Sequence, residues 1–267
     1  QFDTDMKVAQ TMEMMGQKVD TTISMGFRMS VKPGGDQGAK KAVVSYTQTG
    51  LDMNMMGQKI AYDSADENTD PSNPLAIMGD IIGKEITMVM DEDNQITSIE
   101  GVEEMKEELA ANPAMAGQLD AFVDEKQLAQ MTNDWVTEVL ADKPVAPGDS
   151  WDFSYSIEAS GVGEITYNGK ATLHGYSQVD GAEVAVIELD GQIDMDLSNA
   201  EGQAAAMGME LTGGDSKSVI YWDNAVGYLR KMEVFQKMNM SMKNPQTGEG
   251  MELPISQMID MQVDVES

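Results

Sequence analysis

An eight-residue stretch occurs twice near the start of this chain. Residues 12–19 read MEMMGQKV, and residues 53–60 read MNMMGQKI. In each copy, apolar residues at every second position precede a Gly-Gln-Lys break, and another extended segment follows it. This is the pattern of a β-hairpin tip. The chain is therefore predicted to begin with two similar Met-rich hairpins, each with one apolar face to bury.

Long segments alternate apolar and polar residues, which is the period of a strand with one buried face. In residues 42–56 the apolar phase changes at Gly50, so we expect a β-bulge there. A short helix is expected at residues 75–82. The predicted strands are residues 2–14, 19–31, 42–56, 60–62, 86–90, 96–99, 151–157, 163–173, 182–189, 193–197, 218–222, 228–242 and 255–265.

The middle of the chain has a different pattern. Residues 102–109 and 115–140 are rich in Ala, Glu, Leu and Met, with apolar residues three and four apart, which predicts amphipathic helices. A sheet with one apolar face must bury it against another layer. We therefore expect a β-dominated α+β fold: a long, twisted antiparallel sheet or half-barrel, with helices from the middle of the chain packed on one face.

The domain organisation has two readings. The chain is expected to be a single domain covering residues 1–267. The alternative is an internal duplication, in which two related β-rich halves, residues 1–100 and 144–267, flank a helical insert at 101–143. Both halves contain long hairpins and Met-x-Met strands.

Composition restricts the partners and the compartment. The chain has 17 Lys+Arg against 46 Asp+Glu, a formal charge of −29, and no cysteine. This charge repels nucleic acid and favours cations or basic partners. No stretch has the roughly 20 apolar residues of a membrane-spanning helix, and a cysteine-free chain that opens directly on a strand pattern at Gln1 is expected to be a mature exported protein. We expect a periplasmic, secreted or cell-surface location.

The residues do not predict an enzyme. His174, placed at a predicted strand end, is the only histidine, so a His-Cys dyad or multi-His zinc site within one chain is excluded. No Gly-x-Ser-x-Gly elbow or phosphate-binding Gly-Lys-Thr loop is present. Gly148-Asp149-Ser150 is similar to the opening nucleophile block of one esterase family, but no downstream block with Asp and His follows. No cofactor is expected.

Several short motifs together resemble a known family. They are the long Met-rich strands, Tyr62-Asp63-Ser64 after the second hairpin, the helical middle, and Gly148-Asp149-Ser150-Trp151 opening a second β half. The chain resembles an uncharacterised family of secreted or lipoprotein bacterial domains, and the resemblance implies no particular activity. In architecture it is similar to the half-barrel lipoprotein carriers of the bacterial envelope, although the cysteine of a lipid-anchored member is absent.

The 25 methionines allow three interpretations: filling of an uneven core, an adaptable apolar face for a ligand, or soft-metal binding to Cu(I). The predicted function is a non-enzymatic protein that binds an apolar small molecule or an extended protein partner. The candidate ligand-binding residues are Met12, Met14, Met25, Phe27, Met29, Met53, Met55, Met238, Met240 and Met242.

Two other functions stay open from the sequence. A structural subunit of an extracellular assembly, and thus a homo-oligomer, would pair long edge strands such as residues 2–14 or 255–265 with a neighbour. Calcium binding would use the oxygen atoms of Asp91, Asp93 and Asn94, although this acidic turn lacks the glycine and closing glutamate of an EF-hand.

Overall fold

In the part of the chain that the structure describes, the fold is one large antiparallel β-sheet with very little helix. The computed structural model describes residues 1–14, 17–33, 40–55, 58–66, 76–91, 96–110, 138–159, 163–196, 210–243 and 250–265. Within these ranges lie twelve strands, the α-helix α1 (Val102–Ala110), a 3-10 helix (Ala76–Ile81) and two further helical residues, 138–139. The strands are β1 (Phe2–Met14), β2 (Gln17–Pro33), β3 (Lys40–Met55), β4 (Gln58–Asp63), β5 (Glu85–Met90), β6 (Ile96–Glu100), β7 (Ser150–Ala159), β8 (Gly163–Val179), β9 (Ala182–Asp196), β10 (Glu210–Asp223), β11 (Tyr228–Lys243) and β12 (Gly250–Val265).

The two ends of the described chain lie in the middle of the sheet. The strand order is β6-β5-β3-β2-β1-β12-β11-β10-β9-β8-β7, with β4 pairing β3 beside β5. β1 and β12 pair along their length, from Phe2 opposite Val265 to Met12 opposite Ile255. The flanks of the open sheet are therefore β6 and β7, the strands on either side of the segment that was predicted to be helical.

The pairing register joins the apolar positions of successive strands into one face. Met6 lies opposite Met25 on β2 and Met261 on β12, and Met261 lies opposite Met232 on β11. Since residues directly opposite each other in an antiparallel pair project to the same side, the alternation predicted strand by strand becomes one apolar surface. The β-dominated fold class and the antiparallel sheet are confirmed.

The described ends of the middle segment contact this apolar face near opposite flanks of the sheet. Val102 and Met105 of α1 are 0% and 3% exposed and pack with Ile86 and Ile99. At the other flank, Val139 is buried in the cluster of β7 to β11. The helix predicted at residues 102–109 is confirmed as α1. Of the helix predicted at residues 115–140, residues 138–139 are helical and residues 115–137 lie outside the described residues, so the helical layer stays a prediction.

Both Met-Met-Gly-Gln-Lys copies join antiparallel pairs, as predicted. β1 and β2 pair up to Met14 opposite Gln17, and β3 and β4 pair up to Met55 opposite Gln58. The symmetry of the two halves is not tested by this topology, and an internal duplication stays a prediction.

Some local predictions are wrong. The bulge of β3 lies at Thr47 rather than at Gly50, because Gly26 is opposite Gln48 while Phe27 is opposite Tyr46. His174 is not at a strand end: it is the extra residue of a bulge inside β8, between Leu173 and Gly175.

Two further predictions fail at the level of whole strands. Residues 182–189 and 193–197 were predicted as separate strands, but β9 runs unbroken through residues 182–196. Residues 2–14 and 255–265 were predicted as free edges, but each is paired on both sides, since β1 lies between β2 and β12, and β12 between β1 and β11. The short helix predicted at residues 75–82 is a 3-10 helix in its described part.

Candidate functional site

Six methionines from four strands come together on the apolar face. Met240, Leu253 and Ile255 form its buried centre, at 8%, 5% and 8% exposure. Around them lie half-buried methionines and one leucine. We call this group the methionine patch; its members are Met12, Met195, Leu211, Met238, Met240, Met242, Met251, Leu253 and Ile255.

The register explains why these side chains meet. Ile255 of β12 lies between Met12 of β1 and Met238 of β11, each directly opposite on its strand. The next rows pair Met240 with Leu253 and Met242 with Met251. Because same-face residues of one strand are about 6.5–7 Å apart and neighbouring strands about 4.8 Å apart, these rows form a continuous surface.

The patch combines apolar chemistry with partial exposure. Met12, Met195, Met238, Met242 and Met251 are half-buried rather than sealed in the core. Methionine has an unbranched, polarisable side chain that adapts to irregular shapes. The arrangement can therefore contact an apolar molecule of variable shape without rearrangement of the backbone.

The predicted ligand-binding residues do not form one site. Met12, Met238, Met240 and Met242 belong to the methionine patch. Phe27 and Met29 pack instead against the cluster of Val44 and Ile86, under α1. The remaining predicted residues are distributed along the N-terminal strands: Met25 lies opposite Met6 and Thr49, Met53 lies opposite Thr21 and Ile60, and Met14 and Met55 end β1 and β3, with side chains outside the described part of the structure.

Two methionines of the patch were not among the predicted ligand-binding residues. Met195 follows Ile193 in the alternation of β9, and Met251 precedes Leu253 in that of β12. Both have the correct strand phase, which is the signal that identifies them. Met251 lies before the predicted start of the last strand at residue 255, whereas Met195 lies inside the predicted strand 193–197 and was not selected.

A row of polar side chains crosses the apolar face beside the patch. Gln257 of β12 lies between Gln10 of β1 and Gln236 of β11, and Gln236 lies opposite Ser216 of β10. Gln236 is only 7% exposed. Burial raises the pKa of Tyr167, and a hydrogen bond with Gln236 opposes that rise. This glutamine row separates the methionine patch from the rest of the apolar face.

The structure does not bring the predicted calcium-binding residues together with further metal ligands among the described residues. Asp91 directly follows β5, while Asp93 and Asn94 lie outside the described residues. Within the described ranges, no group of three or more His, Asp or Glu side chains is arranged to hold a metal ion. His174 is not in the methionine patch, and its Nε2 lies 2.6 Å from Oε2 of Glu188.

The fold and the patch define a protein built on one open antiparallel sheet whose apolar face is divided by the glutamine row. A family model described as a family of unknown function, DUF6263, matches residues 37–229, and the chain belongs to this family. The expected resemblance to a family of unknown function is confirmed. Secretion and lipid anchoring of this chain stay predictions.

Other comparisons add little. No match was found among curated proteins. A solved structure of a DUF1329 family protein from Desulfovibrio piger ATCC 29098 is 10% identical, with the alignment covering 99% of this chain and 85% of that chain at a TM-score of 0.14. At this TM-score the likeness supports no statement about this chain. None of the helices in the described ranges is long and apolar enough to cross a membrane.

Proposed function

We propose that this is an exported, non-enzymatic binding protein whose methionine patch holds the apolar part of a small hydrophobic ligand. One observation carries the proposal: six methionines from β1, β9, β11 and β12 converge, and all but Met240 stay half-buried. Methionines that only filled a core gap would be enclosed. Flexible thioethers at an accessible surface suit ligands of variable shape.

Energetics favours a ligand with a long apolar chain. Each buried methylene contributes about 0.8 kcal/mol, and association costs at least about 4 kcal/mol in lost freedom of motion. A chain of more than about five buried methylenes is therefore needed before binding becomes favourable. The rows of the patch, which run across several strands, offer a contact surface of that extent.

The first test is the affinity of a neutral, dansyl-labelled dodecyl amide, measured by fluorescence titration. A neutral probe avoids repulsion by the protein charge of −29. We expect Met238→Gln combined with Met242→Gln to weaken binding about tenfold or more, because two apolar contacts become polar. Native mass spectrometry of the untagged protein would identify a co-purified ligand.

Met258→Gln is the matched control for this test. Met258 is 57% exposed and lies outside the methionine patch, opposite Phe235 and Ala9. It should leave the probe affinity unchanged. Equal affinity in wild type and the double variant, or equal loss in the control, would refute the assignment of the ligand to the patch.

The proposed location outside the cytoplasm rests on composition. The chain is strongly acidic and has no cysteine, which fits a protein that folds outside the cytoplasm without disulfides. Fractionation of producing cells, followed by detection with an antibody, tests this part separately. Recovery in the cytoplasmic fraction alone would contradict it.

Assembly through pairing of edge strands between copies of the protein remains a second candidate function. Since β1 and β12 are paired on both sides, the strand that could pair is β7. Among the described strands, β7 is a ten-residue strand with a single neighbour, β8. Its sequence, SWDFSYSIEA, contains no lysine or proline, the residues that commonly protect sheet edges from pairing. Size-exclusion chromatography tests this candidate: a monomer of 29.0 kDa at all concentrations would argue against it.

Soft-metal binding is the remaining alternative for the methionine patch. Thioether sulfur is a ligand that Cu(I) accepts, and the patch brings six such groups together. Since His174 is not part of the patch, the site would consist of thioethers alone. Titration with Cu(I) under reducing conditions separates this alternative from apolar binding, because copper would then compete with the dansyl probe.

A further inference from the structure

Two aromatic side chains face each other across an alanine on the apolar face. Tyr176 of β8 lies opposite Ala185 of β9, and Ala185 lies opposite Trp222 of β10. Neighbouring strands are about 4.8 Å apart, so the two aromatic residues start roughly 10 Å from each other. With only a methyl group between them, this spacing leaves room for one flat ring in van der Waals contact with both.

A groove surrounds this aromatic pair. Its volume is about 490 Å³, and its floor and walls also include Trp151, Leu173 and Ile187, while residues 140–145 form the opposite side. Small-molecule sites typically have volumes of about 300–1,000 Å³ and mostly apolar and aromatic linings. The groove meets both conditions. It shares no residue with the methionine patch.

Hydrogen bonds anchor both ends of the segment that covers the groove, residues 140–145. Trp151 Nε1 donates to the carbonyl of Val139 at 2.9 Å. The backbone N–H of Gly148 donates to the carbonyl oxygen of Leu173 at 2.7 Å. The backbone N–H of Leu173 donates to the carbonyl oxygen of Asp149 at 3.0 Å. Residues 140–145 are therefore fixed over the sheet before any ligand arrives, which reduces the entropic cost of binding.

Tyr176 is unusual for a residue on this face. It is 54% exposed, whereas its register partner Ala185 is 5% exposed. A tyrosine that only completed the core would be largely covered. Its exposed ring is available to a ligand that enters the groove.

Charge indicates which kind of ring compound the groove suits. Asp142 and Lys143 lie at its rim and offset each other. Glu183 is exposed and lies two residues before Ala185, on the same side of β9. With the net charge of −29, the local field attracts cations, and the faces of Trp and Tyr rings attract them as well.

We propose that this groove, centred on Tyr176, Ala185 and Trp222, binds a ring-bearing organic cation. The ring lies over Ala185 between the two aromatic side chains, and its positive charge is favoured by the faces of these rings and by the negative field of the protein. The site is independent of the methionine patch, so failure of one assignment leaves the other intact.

The test compares three small probes of similar shape by calorimetry and ligand-observed NMR. They are trimethylanilinium, its neutral isostere tert-butylbenzene, and benzenesulfonate. We expect trimethylanilinium to bind most tightly, and its affinity to fall when NaCl increases, because salt screens the attraction. Equal affinity for the neutral isostere, or preference for the sulfonate, would overturn the proposal.

Variants then locate the site. Tyr176→Ala should weaken trimethylanilinium binding roughly three- to thirty-fold, the range for losing one cation–π contact. Ala185→Leu should abolish it by filling the slot. Phe235→Ala is the control, since it removes a ring that is 42% exposed and does not line the groove. Circular dichroism confirms that each variant is folded; retained binding in folded Tyr176→Ala and Ala185→Leu would refute the location.

Discussion

Asp223 is the residue that fixes the hairpin between β10 and β11. It is 2% exposed, and its Oδ2 accepts hydrogen bonds from Nε and Nη2 of Arg230 at 3.0 and 2.9 Å. Its Oδ1 accepts from the backbone N–H groups of Ala225 and Val226 at 2.9 and 3.2 Å. A buried carboxylate requires such compensation, because burial without partners is very costly. The turn next to Trp222 is thereby held in one conformation.

Removal of this carboxylate should destabilise the protein strongly. Asp223→Asn leaves the Arg230 guanidinium, whose side chain is 11% exposed, without its anion, and we expect a loss of roughly 3 kcal/mol in the free energy of unfolding. Asp190→Asn is the control: it breaks an exposed pair with Lys217 and should cost less than about 1 kcal/mol. Urea denaturation measures both, and equal losses would contradict the structural role of Asp223.

The contribution of the Asp223 carboxylate to the free energy of unfolding should depend on pH in one direction. Burial alone would raise the pKa of Asp223, but hydrogen bonds from Arg230, Val226 and Ala225, together with the Arg230 charge, lower it below its ordinary value of 3.8. The ionised Asp223 carboxylate therefore stabilises the folded protein fully at pH values above its ordinary pKa. This stabilisation is lost as the pH falls through the lowered pKa of the folded state. The difference in stability between wild type and Asp223→Asn should shrink in acid below about pH 4.

At the scale of elements, β9 depends on a close approach between two strands. Gly191 lies directly opposite Gly169 of β8. A Cβ atom on Gly191 would be 2.6 Å from the carbonyl oxygen of Asn168 and 3.2 Å from the Phe153 ring. The glycine that suggested a strand break therefore lies inside a strand, where it gives room to a neighbouring backbone and an aromatic ring.

Gly191→Ala should consequently destabilise the sheet by about 1–3 kcal/mol, the usual cost of overpacking. Gly213→Ala is the matched control on β10, because a Cβ there meets no atom within 4 Å. Thermal denaturation of both variants distinguishes the two environments. Similar melting temperatures for the two would show that the close approach at Gly191 does not limit stability.

At the scale of the whole molecule, one long sheet carries an unbalanced charge. The chain has 46 acidic and 17 basic side chains. Exposed ion pairs such as Arg28 with Asp3, at 2.8 Å, compensate only locally and contribute little each. Repulsion among the remaining carboxylates opposes the compact state.

Salt should therefore stabilise the protein. Between about 0.02 and 0.5 M NaCl the Debye length falls from more than 10 Å to less than 8 Å, and we expect the melting temperature to rise by at least a few degrees. CaCl₂ at matched ionic strength separates general screening from a bound cation, since calcium binding would add a further increase. A melting temperature that falls with NaCl would mean that attractive pairs outweigh the repulsion.

The sequence alone determined the kind of local structure and the apolar phase of most strands. Alternation in β1, β2, β5 and β12 is a short-range property, since a strand with one buried face needs apolar residues at every second position. For the same reason the hairpins at the two Met-Met-Gly-Gln-Lys copies and the helix α1 were predictable. The same alternation identifies Met12, Met238, Met240 and Met242 as apolar residues on one face of their strands.

Only the tertiary structure decided which strands are neighbours. Phe2 and Val265 are opposite each other although they lie at the two ends of the described chain, and no local pattern encodes a pairing over that separation. The same register divides the predicted ligand-binding residues between separate clusters and brings Tyr176 and Trp222 to either side of Ala185. Strand pairing satisfies backbone hydrogen bonds that are alike at every residue, so partner and register depend on the fit of whole apolar faces, which is a property of the folded molecule.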